Sequence, residues 1–232
     1  MNSRFANSNQ VGMVSSFEEL IHTKFSGSIN AICWHRNLSG DFKEVASKLQ
    51  LEENVTEIAV EELLALALST EGAMARATIL DDLKMLAALG LSPVLNLLKS
   101  YERDEALGFI STDVYSYHVD RSPVATDTFL CTYYGAASDI LPNDQAEQQI
   151  LIPETRQKLQ DLYDGPKEGF ESFLEGYFFD LHYRPKPEAT PLNLGLGHLW
   201  KLAVDHPEQQ VLPCVHRAPQ ENEGEYRLLL IC

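Results

Sequence analysis

The sequence predicts an α+β protein in which a helical annex and a helical insertion flank a β-rich second half. Three observations predict it. Apolar residues recur at helical spacing between positions 40 and 90, aromatic and β-branched types crowd the stretch from Leu107 to Tyr134, and helical spacing returns over 154–179. The expected organisation is a flexible N-terminal tail over residues 1–24 and a single domain over 25–232. Within that domain, 25–93 hold a strand and the helical annex, and 94–232 hold a β-barrel carrying the helical insertion at 154–191. A chain of 232 residues is long enough to bury a full core.

Each element has a local reason. Residues 1–16 are polar, carry one Arg and lack the charged-then-apolar order of a secretory leader. Residues 25–34 read as a short strand, with Ile29, Ala31 and Cys33 alternating against Asn30, Ile32 and Trp34. Asp41 is placed to cap a helix with Glu44 reaching back, and Phe42, Val45 and Leu49 share one face. Residues 56–68 and 81–89 continue the helical character, closed by Gly90 with Pro93 beyond. Residues 94–101 read as a strand, and 126–134 as the clearest strand of the chain, broken by Gly135-Ala136-Ala137-Ser138. Residues 149–152 form a brief strand stopped by Pro153. Helices follow on either side of Gly165-Pro166, then a Pro-rich loop over 183–191. Two final strands, 211–217 and 226–231, flank the polar loop 219–225.

Composition excludes several roles. Thirty-four acidic against 18 basic residues give a formal charge of −16 with no basic cluster, so neither nucleic acid nor an anionic membrane surface is an expected partner. The most apolar stretch, 58–68, is broken by Glu61 and Glu62 and is too short to span a bilayer. Cys33, Cys131, Cys214 and Cys232 are scattered without Cys-x-x-Cys spacing, which argues against a disulfide framework or zinc ribbon and for a reducing, cytoplasmic setting.

The chemistry concentrates in Tyr115-Ser116-Tyr117-His118-Val119-Asp120 and in Cys214-Val215-His216-Arg217. On an extended segment successive side chains alternate faces, so His118 and Asp120 point the same way and can share one ion. With His216 as third ligand the donors are two imidazoles and a carboxylate, which leaves half of an octahedral iron's positions open. Arg227, eleven residues on, stands alone in an apolar strand-like run, where a buried cation needs an anionic partner and a dicarboxylate co-substrate would serve. Asp113 or Glu225 would be the structural alternative. Arg217 is a rival anion ligand, turned away from His216 by alternation. Cys214 shares the face of His216; its plain reading is a small buried hydrophobe, and its sharper one a fourth ligand that closes a tetrahedral zinc site. Tyr117 and Tyr133, with Tyr115 and Tyr134, line a pocket or simply pack. The remaining histidines, His182 among them, show no ligand spacing.

His118-Val119-Asp120, Leu130-Cys131-Thr132-Tyr133-Tyr134-Gly135, His216-Arg217-Ala218-Pro219 and Arg227-Leu228-Leu229-Leu230, with Asn30 to Arg36 near the start, resemble the bacterial domain-of-unknown-function family 1826 over most of the chain. The sequence departs from that pattern at Ala136-Ala137-Ser138, where it has Pro-Gly-Thr, and at Ala218, where it has Ser. More distantly, the order His-x-Asp, His, Arg is similar to the iron(II)/2-oxoglutarate-dependent oxygenases. That resemblance implies a double-stranded β-helix, a jelly-roll or cupin-like barrel, with iron held by His118, Asp120 and His216 and 2-oxoglutarate by Arg227. The expected activity is oxygenation of a small-molecule or protein substrate. Its rivals are a non-catalytic zinc carrier or sensor using Cys214 as well, and a jelly-roll interaction protein without a metal.

Overall fold

Two sheets face each other across an apolar interior, and helices cover the outer side of the larger one. The computed structural model describes residues 8–232. In chain order the elements are β1 (Val11–Val14), α1 (Phe17–His22), β2 (Ala31–Trp34), α2 (Phe42–Lys48), β3 (Val55–Glu57), α3 (Val60–Ala65), α4 (Thr70–Ala87), β4 (Val94–Leu98), β5 (Tyr117–His118), β6 (Asp127–Tyr134), β7 (Asp139–Ile140) and β8 (Ala146–Gln148). They continue with α5 (Pro153–Leu162), α6 (Phe170–Gly176), β9 (His182–Pro185), β10 (Leu192–Asn193), β11 (Leu199–Ala203), β12 (His216–Arg217) and β13 (Arg227–Ile231). The larger sheet runs β1-β2-β11-β6-β13-β4-β3 and the smaller β10-β7-β12-β5-β9-β8. Among the described residues every ladder is antiparallel except that of β1 with β2.

The central strands of the larger sheet are buried on both faces, and the register sorts their side chains. Ala31 and Cys33 on β2, Leu130 on β6, Trp200 and Leu202 on β11 and Leu229 on β13 point inward, where they meet Ile140 of the smaller sheet. Ile32, Phe129, Cys131, Leu228 and Leu230 point outward onto α2, α3 and α4. The outer packing is anchored by Asp82 of α4, which accepts from Arg36 Nη1 and Nη2 at 2.6 and 2.8 Å and from the Tyr133 hydroxyl at 2.6 Å. Asp82→Ala leaves a buried guanidinium without its carboxylate, so a loss of about 3–5 kcal/mol is expected. A urea melt showing less than about 1 kcal/mol would assign the anchoring to apolar packing alone.

The structure revises several expectations. Residues 8–24 are no tail: β1 pairs along β2, and α1 is capped by Ser16, whose side chain accepts from the Glu19 N–H. The first seven residues of the expected tail lie outside the described ones. Glu44 does not close a capping box on Asp41; it bonds Lys48 and the Ser69 hydroxyl and N–H, joining α2 to the start of α4. The brief strand expected at 149–152 is instead a 3-10 turn over Gln149–Leu151, because the strand pairing ends at Gln148. The loop expected at 183–191 begins as β9, which pairs with both β5 and β8. The expected strand at 211–217 is confined to His216–Arg217. No helix among the described residues is long and apolar enough to cross a membrane.

Candidate metal centre

His118 and His216 are register partners on adjacent strands, and His118 is in turn opposite His182 of β9. This row, with Ile140 at its other end, points toward the inter-sheet space. The His118 and His216 rings lie 4.6 Å apart, centroid to centroid. Asp120, two residues past His118, brings Oδ1 to 3.9 Å from His118 Nε2 and Oδ2 to 3.7 Å from His216 Nε2. One ligand atom from each of the three residues lies within 4.8 Å of the others.

The hydrogen bonds around the trio set its chemistry. His118 Nδ1 faces the Ser116 carbonyl at 2.8 Å and His216 Nδ1 the Cys214 carbonyl at 3.1 Å. A carbonyl only accepts, so each Nδ1 carries the proton and each Nε2 keeps its lone pair toward the other ring and Asp120. Asp120 Oδ2 accepts from the Thr128 hydroxyl at 2.6 Å. The backbone of Asp120 is held as well: its carbonyl accepts from the Asp205 N–H, while Arg121 clamps Asp180 and Asp205. The Asp120 side chain is 36 % exposed against 14 % and 11 % for His118 and His216, so the carboxylate is the open side of the cluster. The three residues can hold a metal ion in the two-imidazole, one-carboxylate pattern.

Burial and the facing His216 lower His118 to a pKa of about 4. Burial alone would raise Asp120, but His216, the Thr128 hydroxyl and His118 together bring it below its usual value. His182, buried beside His118 with Nδ1 3.1 Å from Ser116 Oγ, is lowered by desolvation to about 4. Both histidines are therefore ready to protonate in an unfolded chain at pH values where the fold keeps them neutral. Between pH 6.5 and 4 the unfolded state binds more protons, so stability falls as pH falls through that window. Metal-free protein is expected to lose about 2–4 kcal/mol between pH 7 and 5 from the two together. Equal urea midpoints at the two pH values would contradict this.

Arg227 points into the same interior. It precedes inward Leu229 by two positions and pairs with inward Leu98. Only 4 % exposed, it donates from Nη2 to Ser138 Oγ at 2.8 Å and Thr132 Oγ1 at 3.3 Å, and its Nε has no partner. Neither Asp113 nor Glu225 pairs with it, and no carboxylate among the described residues lies within ion-pair distance. Desolvation lowers its pKa, opposed by Tyr101, Glu221 and Tyr115. The candidate metal trio and the guanidinium are linked through β6, whose inward residues include Thr128, which bonds Asp120, and Thr132, which bonds Arg227. Four residues of extended strand set these contacts roughly 13 Å apart.

A β-bulge keeps Tyr134 off the inner face of β6. Leu228 pairs with Tyr134 and Leu229 with Thr132, leaving Tyr133 as the extra residue of β6. Tyr133 and Tyr134 therefore both pack against the helical side, and no aromatic ring follows Thr132 on the inner face. Gly135, at φ +84°, then passes so close to β13 that a Cβ would stand 2.5 Å from the Tyr226 carbonyl oxygen and 2.9 Å from the Arg227 Cα. Glycine is required there.

Comparison of the chain with protein-family models, curated proteins and solved structures finds no match. The residues themselves therefore carry the assignment. Of those expected at the site, His118, Asp120 and His216 converge, and Arg227 faces the same space. Cys214 is fully buried in the inter-sheet core and is not one of the clustered ligands; burial holds its thiol protonated. Arg217 turns away, as alternation requires, bonding Asp139 at 3.0 Å with its guanidinium 4.5 Å from the Tyr117 ring centre. Tyr117 is thus on the outer face, and Tyr133 is engaged with Asp82, so neither lines the site. The sequence reading missed His182, Thr128, Thr132 and Ser138. His182 carries no spacing signal because its place beside His118 arises from strand pairing across 64 residues (182 − 118).

Proposed function

We propose that the protein is an iron(II)- and 2-oxoglutarate-dependent oxygenase built on a double-stranded β-helix, in keeping with the resemblance in its sequence. The observation that carries this reading is Arg227, a buried cation lacking a carboxylate partner in the interior that holds the His118–Asp120–His216 cluster. A buried guanidinium is unfavourable without an anion, and its fork geometry suits a carboxylate.

In this reading His118, Asp120 and His216 would hold the ion through two imidazoles and a carboxylate. Iron(II) supplies the oxygen chemistry that side chains lack. Arg227 binds the far carboxylate, and Ser138 and Thr132 hold the guanidinium in place. Leu130, Trp200 and Leu229 exclude water from the space beside them. Thr128 orients the Asp120 carboxylate. The substrate enters from the side on which Asp120 is exposed.

The test is an anaerobic melt with iron(II), zinc and 2-oxoglutarate, singly and combined. The expected result is that 2-oxoglutarate raises the melting temperature only when the metal is present, and that iron-loaded protein given O₂ and ascorbate converts 2-oxoglutarate to succinate and carbon dioxide, one oxygen atom entering succinate and the other being reduced to water by the ascorbate. Tight zinc with no response to 2-oxoglutarate would replace this reading with that of a metal carrier.

A further inference from the structure

We infer, on the reading that His118, Asp120 and His216 hold a divalent cation, that Ser116 and His182 are positioning residues for that cation. The bond between their side chains fixes the main-chain carbonyl that aims His118.

The two imidazole arms of the cluster are built alike and braced differently. Each ring presents Nδ1 to the carbonyl two residues before it, His118 to Ser116 at 2.8 Å and His216 to Cys214 at 3.1 Å. Neither carbonyl belongs to a strand, because β5 begins at Tyr117 and β12 at His216. Other bonds must therefore set its direction. Behind Cys214 the main chain does so: the Cys214 N–H donates to the Ala203 carbonyl of β11 at 2.8 Å, and the side chain is a buried thiol. Behind Ser116 the side chains take part. The Ser116 N–H is shared between Asp113 Oδ1 and the Asp113 carbonyl, each at 3.2 Å, which closes a turn. Ser116 Oγ lies 3.1 Å from His182 Nδ1, which ties that turn to β9.

His182 is placed for this role by the sheet. It is the register partner of His118, with the ring centroids 5.7 Å apart, and it is 4 % exposed. An imidazole buried at that depth costs more than an aliphatic side chain unless it is hydrogen-bonded. Its partner is the residue whose carbonyl holds a ligand ring, the kind of neighbour that sets the orientation and basicity of a metal-binding histidine. A hydroxyl both donates and accepts, so the bond survives in either tautomer of His182.

The experiment is titration of the full chain with cobalt(II), read by calorimetry and by the visible bands of the bound ion, which report its coordination geometry. Ser116→Ala keeps the carbonyl and the N–H and removes the brace; His182→Leu removes it from the other side. Each is expected to bind cobalt(II) about tenfold to a hundredfold more weakly, with altered bands. Ser116→Thr keeps the hydroxyl, and His182→Asn sets an amide nitrogen as many bonds from the main chain as Nδ1, so both should restore affinity and bands. Because the pair acts as a unit, Ser116→Ala/His182→Leu should lose no more than the weaker-binding single variant. Ser116→Ala and Ser116→Thr decide the matter if His182→Leu does not fold. Variants that melt earlier in urea yet keep the bands, and an affinity within about threefold of the unchanged chain, would make the pair structural and overturn the inference. Additive losses in the double variant would do the same. Failure of the unchanged chain to bind cobalt(II) would remove the metal centre and this role together, a result distinct from binding that the variants leave intact.

Discussion

His216→Ala protein is expected to fold and yet to lose about a hundredfold or more in iron(II) affinity, since even residues that only orient metal ligands contribute tenfold to a hundredfold. The pairing of β12 with β5 and β7 is made by backbone groups, which the substitution leaves in place. What disappears is one of two lone pairs aimed at a common point, leaving His118 and Asp120 as a two-donor site. Cys214→Ser is the informative companion. If the ion is held by the trio alone, this variant retains iron binding, because Cys214 contributes a buried thiol to the core and no ligand. Anaerobic calorimetric titration measures both. One iron per chain at unchanged affinity in His216→Ala would remove the metal centre from this part of the fold, and loss of metal in Cys214→Ser would restore a closed tetrahedral site.

Arg227→Met is expected to move stability and ligand response in opposite directions. Arg227 is buried without a carboxylate in ion-pair reach, and its desolvation is offset only by two hydroxyls and by the more distant Tyr101, Glu221 and Tyr115. An unbranched apolar side chain of similar length removes the buried charge, although it leaves Ser138 and Thr132 without their donor. The net expectation is a gain of about 1–2 kcal/mol in the metal-free protein, by analogy with buried charges replaced by apolar groups. The same variant should show no rise in melting temperature with 2-oxoglutarate in the presence of iron(II), whereas Arg227→Lys retains part of it. A destabilised Arg227→Met that still responds fully to 2-oxoglutarate would make Arg227 a structural residue.

The candidate metal ligands were legible because alternation along a strand is local: on an extended segment His118 and Asp120 share a face. His216 and Arg227 were legible as polar residues in apolar, strand-like surroundings. β11 was not, although it lies at the heart of the larger sheet. Leu199-Trp200-Lys201-Leu202-Ala203 is buried on both faces, so it shows no alternation, and its Lys reads as a surface residue. In the fold Lys201 Nζ donates to the Thr23 carbonyl at 3.1 Å beside the C-terminal end of α1, an arrangement set by residues 178 positions away. The helical annex was read in place, but its bounds shifted. Residues 56–68 begin inside the edge strand β3 and reach α3 only at Val60; pairing with β4 overrides helical propensity at Thr56 and Glu57. β1 was missed because Val11-Gly12-Met13-Val14 is short and its pairing with β2 is parallel and nonlocal.

The doubled tyrosine of β6 makes the face on which its second phenol falls a matter of residue count rather than of side-chain type. An even pleat running on from inward Thr132 would turn Tyr134 toward the guanidinium; the extra residue turns it onto the helices beside Tyr133. Removing one of the pair would bring the other opposite Leu228, still on the helical side, and would draw Gly135 off its crossing point on β13. Phenylalanine at either position would leave the placement intact, because backbone pairing sets it.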